Sequence, residues 1–325
     1  MKKKVIVVGS INVDLTIKTR RLPRPGETII GGRFTKGAGG KGANQAIAAV
    51  RAGADVSFIA RVGNDLYGQE MVTHLNTEGV GTRYIVHDEE TATGMAFILV
   101  DEHGENSIVV ASGANARLCP LDIEKVQDEI VSAGVLLVQL ESPLDAVQRA
   151  IHLAGRSDVL VIVNPAPAQY LNNSWFHGVD VITPNKIEAE MLSGLKITDD
   201  ASLAASAQRI LDFGISIVII TLGRRGVFLA TKNGMSLIPA YTVKAIDSTG
   251  AGDVFSGSLA SFLAEDMSIE EAVKMATASA SISVTRMGAQ MSAPLRSEIE
   301  NFINYAPQLQ KRTEDEFTHN PSQSS

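Results

Sequence analysis

A chain of 325 residues, 45% hydrophobic and 20% charged, has the make-up of a globular protein and the length to bury a large core. Its formal charge of −7 speaks against nucleic acid or an anionic membrane surface as a partner, and no apolar run reaches bilayer-spanning length. One cysteine, Cys119, excludes an internal disulfide and suits a reducing compartment, so a cytoplasmic protein is expected.

Lys2 to Lys4 followed by Val5 to Val8 imitates the start of a signal peptide, but Gly9, Asn12 and Asp14 end the apolar stretch too early. Val5 to Val8 reads instead as a strand covered on both faces. Asn12 and Asp14 follow just past its carboxyl end, the edge where ligands gather in open parallel sheets. There they can hold neighbouring sugar hydroxyls, or they can simply stabilise a turn. Residues 28–34 have mixed polarity and suggest a strand with one wet face.

The segment Gly37-Ala38-Gly39-Gly40-Lys41-Gly42-Ala43-Asn44 then leads into an Ala-rich helix expected over 45–52. Gly37, Gly39 and Gly42 match the G-x-G-x-x-G dinucleotide fingerprint, but the strand before them is not the buried run that the fingerprint needs. Gly40-Lys41 imitates the end of a Walker loop, yet Thr35 replaces its first glycine and Gly42 its magnesium-binding hydroxyl residue. What remains is pliant backbone, one lysine, and Asn44 at a helix start, which suits a hydroxyl or a phosphate.

Residues 54–60 read as a second buried strand and 66–75 as an amphipathic helix. Runs 93–101 and 106–111 form a hairpin pattern across the turn at 101–105. His103 in that turn has no second ligand at metal spacing. From 121 onward helices (121–131, 143–154, 185–193, 200–212) alternate with strands (135–140, 159–163, 179–182, 215–221). That is the pattern of a parallel sheet with helices on both faces. Glu141, Asn164, Asn185 and Thr221 recur at strand ends and outline a site along one edge. Asn185 and Glu188 either form a helix cap with its capping-box partner or hold a hydrated magnesium ion. Thr221 to Gly226, with Gly223 between, is a glycine-bracketed turn fit to rim a nucleotide.

An apolar run, 241–246, precedes Asp247-Ser248-Thr249-Gly250-Ala251-Gly252-Asp253, and a helical pattern, 254–263, follows. A glycine-rich loop leaving a strand and opening a helix points free amides and the positive end of the helix dipole at one spot, an anion site. Asp253 is out of place there unless it caps the helix or accepts a proton from an attacking hydroxyl. Helices over 269–286 and 294–304 close the domain.

Taken in order, the 9–14 and 39–44 segments, Gln139-Leu140-Glu141, Asn164 to Ala168, Thr183-Pro184-Asn185 with Glu188, and the 247–253 loop resemble the ribokinase-like sugar kinase family across residues 4–304. The resemblance implies an α/β, three-layer α/β/α fold with a mostly parallel sheet, spanning 1–306, and a small β-sheet lid near 15–35 and 92–112. The polar tail 307–325 is expected to be disordered. It further implies ATP-dependent phosphorylation of a sugar, D-ribose at its 5-hydroxyl, with 2-deoxyribose or another sugar or nucleoside as the alternative and a silent sugar-binding regulator as the rival outside enzymes. Asp253 would be the general base, and Gly250, Ala251 and Gly252 would line the anion hole. Asn12, Asp14, Gly40, Lys41, Asn44 and Glu141 would hold the sugar together with Asp253. Asn185, Thr221, Gly223, Gly226, Gly252 and Thr277 would face ATP, with magnesium bound through water at Asn185 and Glu188. Asp247, Thr249, Ser283, Arg286, Gly288 and Ser292 match positions that coordinate a monovalent cation (K⁺), several through main-chain oxygen. Pairing of lid edges would give a homodimer.

Overall fold

Val5–Val8 (β1) is wholly buried because it lies between two helical layers: Val5 and Val7 face one core, Ile6 and Val8 the other. This explains why its sequence is continuously apolar and does not alternate. The computed structural model describes residues 3–305, so the tail expected over 307–325 lies outside the described residues.

After β1 come β2 (Asn12–Lys18), β3 (Arg33–Gly39), α1 (Lys41–Arg51), β4 (Val56–Gly63), α2 (Leu66–Thr77) and β5 (Gly81–Asp88). Next are β6 (Gly94–Val100), β7 (Asn106–Ala111), α3 (Pro120–Glu124), α4 (Gln127–Val131), β8 (Val135–Val138), α5 (Leu144–Ala154) and β9 (Leu160–Val163). The carboxyl-terminal half adds β10 (Val181–Ile182), α6 (Lys186–Ser193), α7 (Asp200–Leu211), β11 (Ile217–Thr221), β12 (Val227–Thr231) and β13 (Gly234–Ile238). Finally α8 (Ala251–Leu263) and α9 (Ile269–Ser283) precede a helix over 296–305.

The large sheet has nine strands in the order β13-β12-β11-β10-β9-β8-β1-β4-β5, antiparallel only where β12 meets its two neighbours. Helices α1, α2, α8 and α9 pack on one face and α3 to α7 on the other, giving the expected three-layer α/β/α architecture. A separate four-stranded sheet has the order β3-β2-β6-β7.

Several expectations move. The strand read over 28–34 lies at Arg33–Gly39, because its register is set by pairing Asn12 with Gly39 and Lys18 with Arg33, while Ile30 is left 96% exposed. The glycine-rich stretch is therefore mostly strand. Gly39 lacks a side chain because a Cβ there would sit 2.2 Å from an Asp14 carboxylate oxygen. Only Gly40, with φ 89°, makes the turn, and the helix opens at Lys41, four residues before the expected start. Residues 241–246 form no strand. The Ile246 and Asp247 amides instead donate to the Val284 carbonyl at the end of α9, so the segment crosses that helix and leaves the sheet edge to β13. The single helix expected over 121–131 is broken in two around Val126. β5 and β13, both at sheet edges, went unread.

Candidate active site

Strand ends and two helix starts converge on one edge of the sheet. Ser10 and Asn12 follow β1, Gln139 and Glu141 follow β8, Asn164 follows β9, Asn185 follows β10, and Thr221 ends β11. Lys41 opens α1, and Asp253 lies in the first turn of α8.

α8 is capped by Gly250 in the left-handed region, φ 74°, with no side chain capping it. A Cβ on Gly250 would come within 2.8 Å of the Ala289 side chain, so glycine is required twice over. The Ala251 amide donates to the Ser248 carbonyl at 3.2 Å. The Gly252 and Asp253 amides have no such partner among the described residues, and the space beside Gly252 is open. A helix start with unpaired amides is a place for a phosphate.

Asp253 does not cap its helix. Its side chain reaches across to α1, where Asn44 Nδ2 donates to Oδ2 and Gln45 Nε2 to Oδ1, each at 2.9 Å. The carboxylate is 5% exposed, and hydrogen bonds to a charged group of this kind contribute about 1.5–3 kcal/mol each. The Asp253 carboxylate is thus a buried hydrogen-bond acceptor and not the cap of its helix. Asn44 Oδ1 is itself buried without a hydrogen-bond partner, so it presents an acceptor to whatever binds beside Asp253.

The expected sugar residues surround that spot. Glu141 accepts from the Ser10 hydroxyl at 2.5 Å and the Lys41 amide at 3.0 Å. Burial pushes the Asp14 carboxyl up to about 6, with Glu141 and Asp253 adding repulsion. Lys41 is held above its ordinary range by the Asp253 carboxylate, against the opposing effect of burial, with Glu141 and Glu188 assisting. Asn12 is fixed from behind: Asn115 Nδ2 donates to its Oδ1 at 2.8 Å and to the Ile11 carbonyl at 2.9 Å. With its oxygen so engaged, Asn12 has its Nδ2 left to donate.

Asn185 and Glu188 form the capping box, with Glu188 Oε2 accepting the Asn185 amide at 2.7 Å and Asn185 Oδ1 accepting the Glu188 amide at 2.9 Å. Glu188 Oε1 also accepts from Asn185 Nδ2 at 2.8 Å. Burial raises the Glu188 carboxyl despite the Asn185 amide and Lys41. The cap does not exhaust the oxygen lone pairs, so these hard oxygens also fit an outer-sphere magnesium. Thr221 bridges to Asn185, and Gly223 and Gly226, with φ 57° and 95°, bracket a short turn beside it. Thr277 is 4% exposed, and its hydroxyl donates to the Val273 carbonyl within α9.

Asp247 ties the two expected cation segments together, accepting from the Thr249 and Gly288 amides at 2.9 Å each. Burial works to raise this carboxyl, but the Thr249 hydroxyl and those amides outweigh it and hold it below the usual range. The Ser283 and Ser292 hydroxyls donate to the Ala280 and Ala289 carbonyls, and the Arg286 guanidinium pairs with Glu298. A lone carboxylate among hydroxyl and carbonyl oxygens suits a weakly hydrated monovalent ion. No cluster of three His, Cys, Asp or Glu at metal distance occurs among the described residues.

Sequence alone assigns no site role to Ser10, Gln45, Asn115 or Gln139, although Ser10 and Gln139 lie in the segments that carry the resemblance. Gln45 had a signal, a second polar residue beside Asn44 on a buried Ala-rich helix; Asn115 had none, since it reaches the site from beyond the hairpin of the small sheet.

The model of pfkB family carbohydrate kinases matches residues 2–296. A ribokinase of Haemophilus influenzae is 43% identical over 306 residues, covering 94% of this chain and all 100% of that protein. A deoxyribokinase of Salmonella typhi is 35% identical over 302 residues, covering 93% and 98% of the two chains. The solved structure of Arabidopsis thaliana ribokinase complexed with ribose and ATP superimposes with a TM-score of 0.87 at 28% identity, covering 93% of this chain and 98% of that one. A match over nearly the whole chain, on the fold and site described, leaves one conclusion: the chain belongs to the pfkB family of carbohydrate kinases.

Proposed function

We propose that this chain transfers the γ-phosphoryl group of ATP to the 5-hydroxyl of D-ribose, with Asp253 as general base. The observation that carries the reading is the Asp253 carboxylate, buried and held by two side-chain amides at the start of a helix whose next free donors are the Gly252 and Asp253 amides. A base and an anion site so joined are what phosphoryl transfer to an alcohol needs. Asp253 takes the hydroxyl proton as the new O–P bond forms, the bond to the β-phosphate breaks, and ADP leaves. The free amides stabilise charge on the moving group. Asn12, Asp14, Lys41, Asn44 and Glu141 bind and orient the sugar, and the small sheet closes over it to exclude water. Thr221 and the Gly223–Gly226 turn rim the nucleotide. Asn185 and Glu188 would hold a hydrated magnesium ion, which would supply charge neutralisation. A potassium ion between Asp247 and the 283–292 segment would steady the anion hole.

Ribose is favoured over 2-deoxyribose by the donor that Asn12 presents, because a polar group left unpaired in a closed site costs about 1–3 kcal/mol. The all-exposed edge strand β7 and the exposed Phe34 and Phe97 support a homodimer formed by pairing of the small sheets. A single free thiol and an ATP-driven reaction fit the cytosol. The test is Asp253→Asn in a coupled ADP assay. Turnover should fall by about 10² to 10⁴ with the fold and ribose binding retained, and near-wild-type turnover would remove Asp253 as the base.

A further inference from the structure

We propose that Gln45 is a positioning residue for phosphoryl transfer, the element that fixes the Asp253 carboxylate in its reacting orientation; this rests on the assignment of Asp253 as base. Gln45 is fully buried. Its orientation is determined by its neighbours, without choice. Asp253 can only accept, so the atom facing it must be Nε2, which donates to Asp253 Oδ1 at 2.9 Å and to Asn164 Oδ1 at 3.0 Å. Both amide hydrogens are then in use. The remaining Oε1 accepts from Gln139 Nε2 at 2.6 Å. Asn164 is oriented in turn by donating to the Thr183 carbonyl at 2.9 Å. Donation therefore runs in one direction, from Gln139 through Gln45 to the base, and no member can flip without breaking its neighbours.

The backbone makes room for this chain of donors. A Cβ on Gly257, one turn beyond Asp253 on α8, would lie 2.3 Å from the Gln45 carbonyl, so α1 and α8 approach closely only because that residue is glycine. A Cβ on Gly9 would lie 2.0 Å from Gln139 Oε1. Asn44 holds the other carboxylate oxygen but also lies among the expected sugar ligands. Gln45, behind it, is left with the task of orientation alone. Because its polar atoms are all spent on Asp253, Asn164 and Gln139 and it is fully buried, its loss should act on the transition state and spare substrate binding.

Gln45→Glu keeps the shape, removes the donor and sets a second carboxylate against Asp253. The other charged groups around the base, Asp14 on β2, Lys41 on α1, Glu188 on α6 and Glu141 after β8, stay as they are. At saturating ribose and ATP, kcat should fall about tenfold to a hundredfold, and KM for both substrates should stay within about threefold. The acid limb of kcat against pH should move up by about one pH unit, since the paired carboxylates retain a proton. Gln139→Leu, which never touches Asp253, should shift kcat in the same direction by a smaller factor, and it decides the matter if Gln45→Glu folds poorly. A merely structural role would lower the folded fraction and leave the pH profile of the folded enzyme unchanged. Folded, ribose-binding variants with kcat within about twofold of wild type and an unmoved acid limb would overturn the proposal. Run in parallel, Asp253→Asn separates the two claims: an active Asp253→Asn sinks the base itself, whereas an inactive one beside a fully active Gln45→Glu sinks only the role of Gln45.

Discussion

Asp14→Asn should make the sugar-free protein more stable while weakening its hold on sugar. The carboxyl is pushed up to about 6, by burial first and then by Glu141 and Asp253, and no donated hydrogen bond offsets those effects. A carboxyl raised in this way binds more protons folded than unfolded between about pH 4 and pH 6, so stability falls as pH rises through that window and the penalty is complete above it. At about 1.4 kcal/mol per pH unit the ceiling is about 3 kcal/mol, and about 1–2 kcal/mol remains once the part-exposure of the side chain is allowed for. Asparagine has nearly the same shape and carries no charge, so it removes the penalty without creating a cavity. Urea unfolding without sugar should show Asp14→Asn more stable by about 1–2 kcal/mol at pH 7.5, with the gain gone near pH 4. Calorimetry at pH 7.5 should show ribose bound about 10- to 100-fold more weakly, since hydrogen bonds to a charged acceptor are lost. An equal change in unfolding midpoint at both pH values, or a loss of stability at pH 7.5, would refute the argument.

Asn115→Leu should free the Asn12 amide to rotate, lowering kcat/KM for ribose about tenfold and narrowing the preference over 2-deoxyribose; equal losses for the two sugars would mean that Asn12 does not read the 2-hydroxyl. Turnover should rise with potassium and be weaker in sodium or lithium, and Asp247→Ala should abolish that response; an undiminished rate in large organic cations removes the site. Sedimentation should give a dimer at micromolar concentration, and a charged residue in place of Val109, which is 67% exposed on β7, should yield monomer.

The layered fold was legible because a strand covered on both faces has to be continuously apolar, as β1 and β8 are, and because helices and strands alternate after residue 120. The small sheet was harder to read. Its faces are largely wet, so β3 carries no burial pattern, and its register follows from pairing with β2 and from the room that Gly39 leaves for Asp14. Edge strands such as β13 are exposed along most of their length and give an equally faint signal. Within the site, residues on glycine-rich segments and at strand ends stood out by position. Gln45 and Asn115 did not, because what they do depends on partners 208 and 103 residues away. Asp253 shows the same limit: spacing placed it in the first turn of a helix and allowed it to be a cap, and only its contacts with α1 exclude that.

The register of the small sheet also bears on how the proposed reaction avoids spending ATP on water. Asn12 opens β2 and pairs with Gly39 on one side and Gly94 on the other, so β2 and β6 start, and the antiparallel β3 ends, beside the proposed sugar-binding residues. Gly94 has to be glycine there, since a Cβ would strike Asn115 Nδ2 at 2.2 Å and Asn12 Oδ1 at 2.3 Å. Asp14 rides on the small sheet, whereas Glu141 and Asp253 belong to the large domain, and the first is repelled by the other two. Without a sugar, bringing the sheet down costs that repulsion in full. Sugar hydroxyls donate to carboxylates and so offset it, while the orphaned Asn44 Oδ1 gains its missing donor. In the proposed reaction, closing the small sheet is therefore favoured by an acceptor alcohol and opposed with water alone, because water cannot bridge all of these groups at fixed spacing. The repulsion that burial and its neighbours impose on Asp14 would then make phosphoryl transfer wait for its substrate.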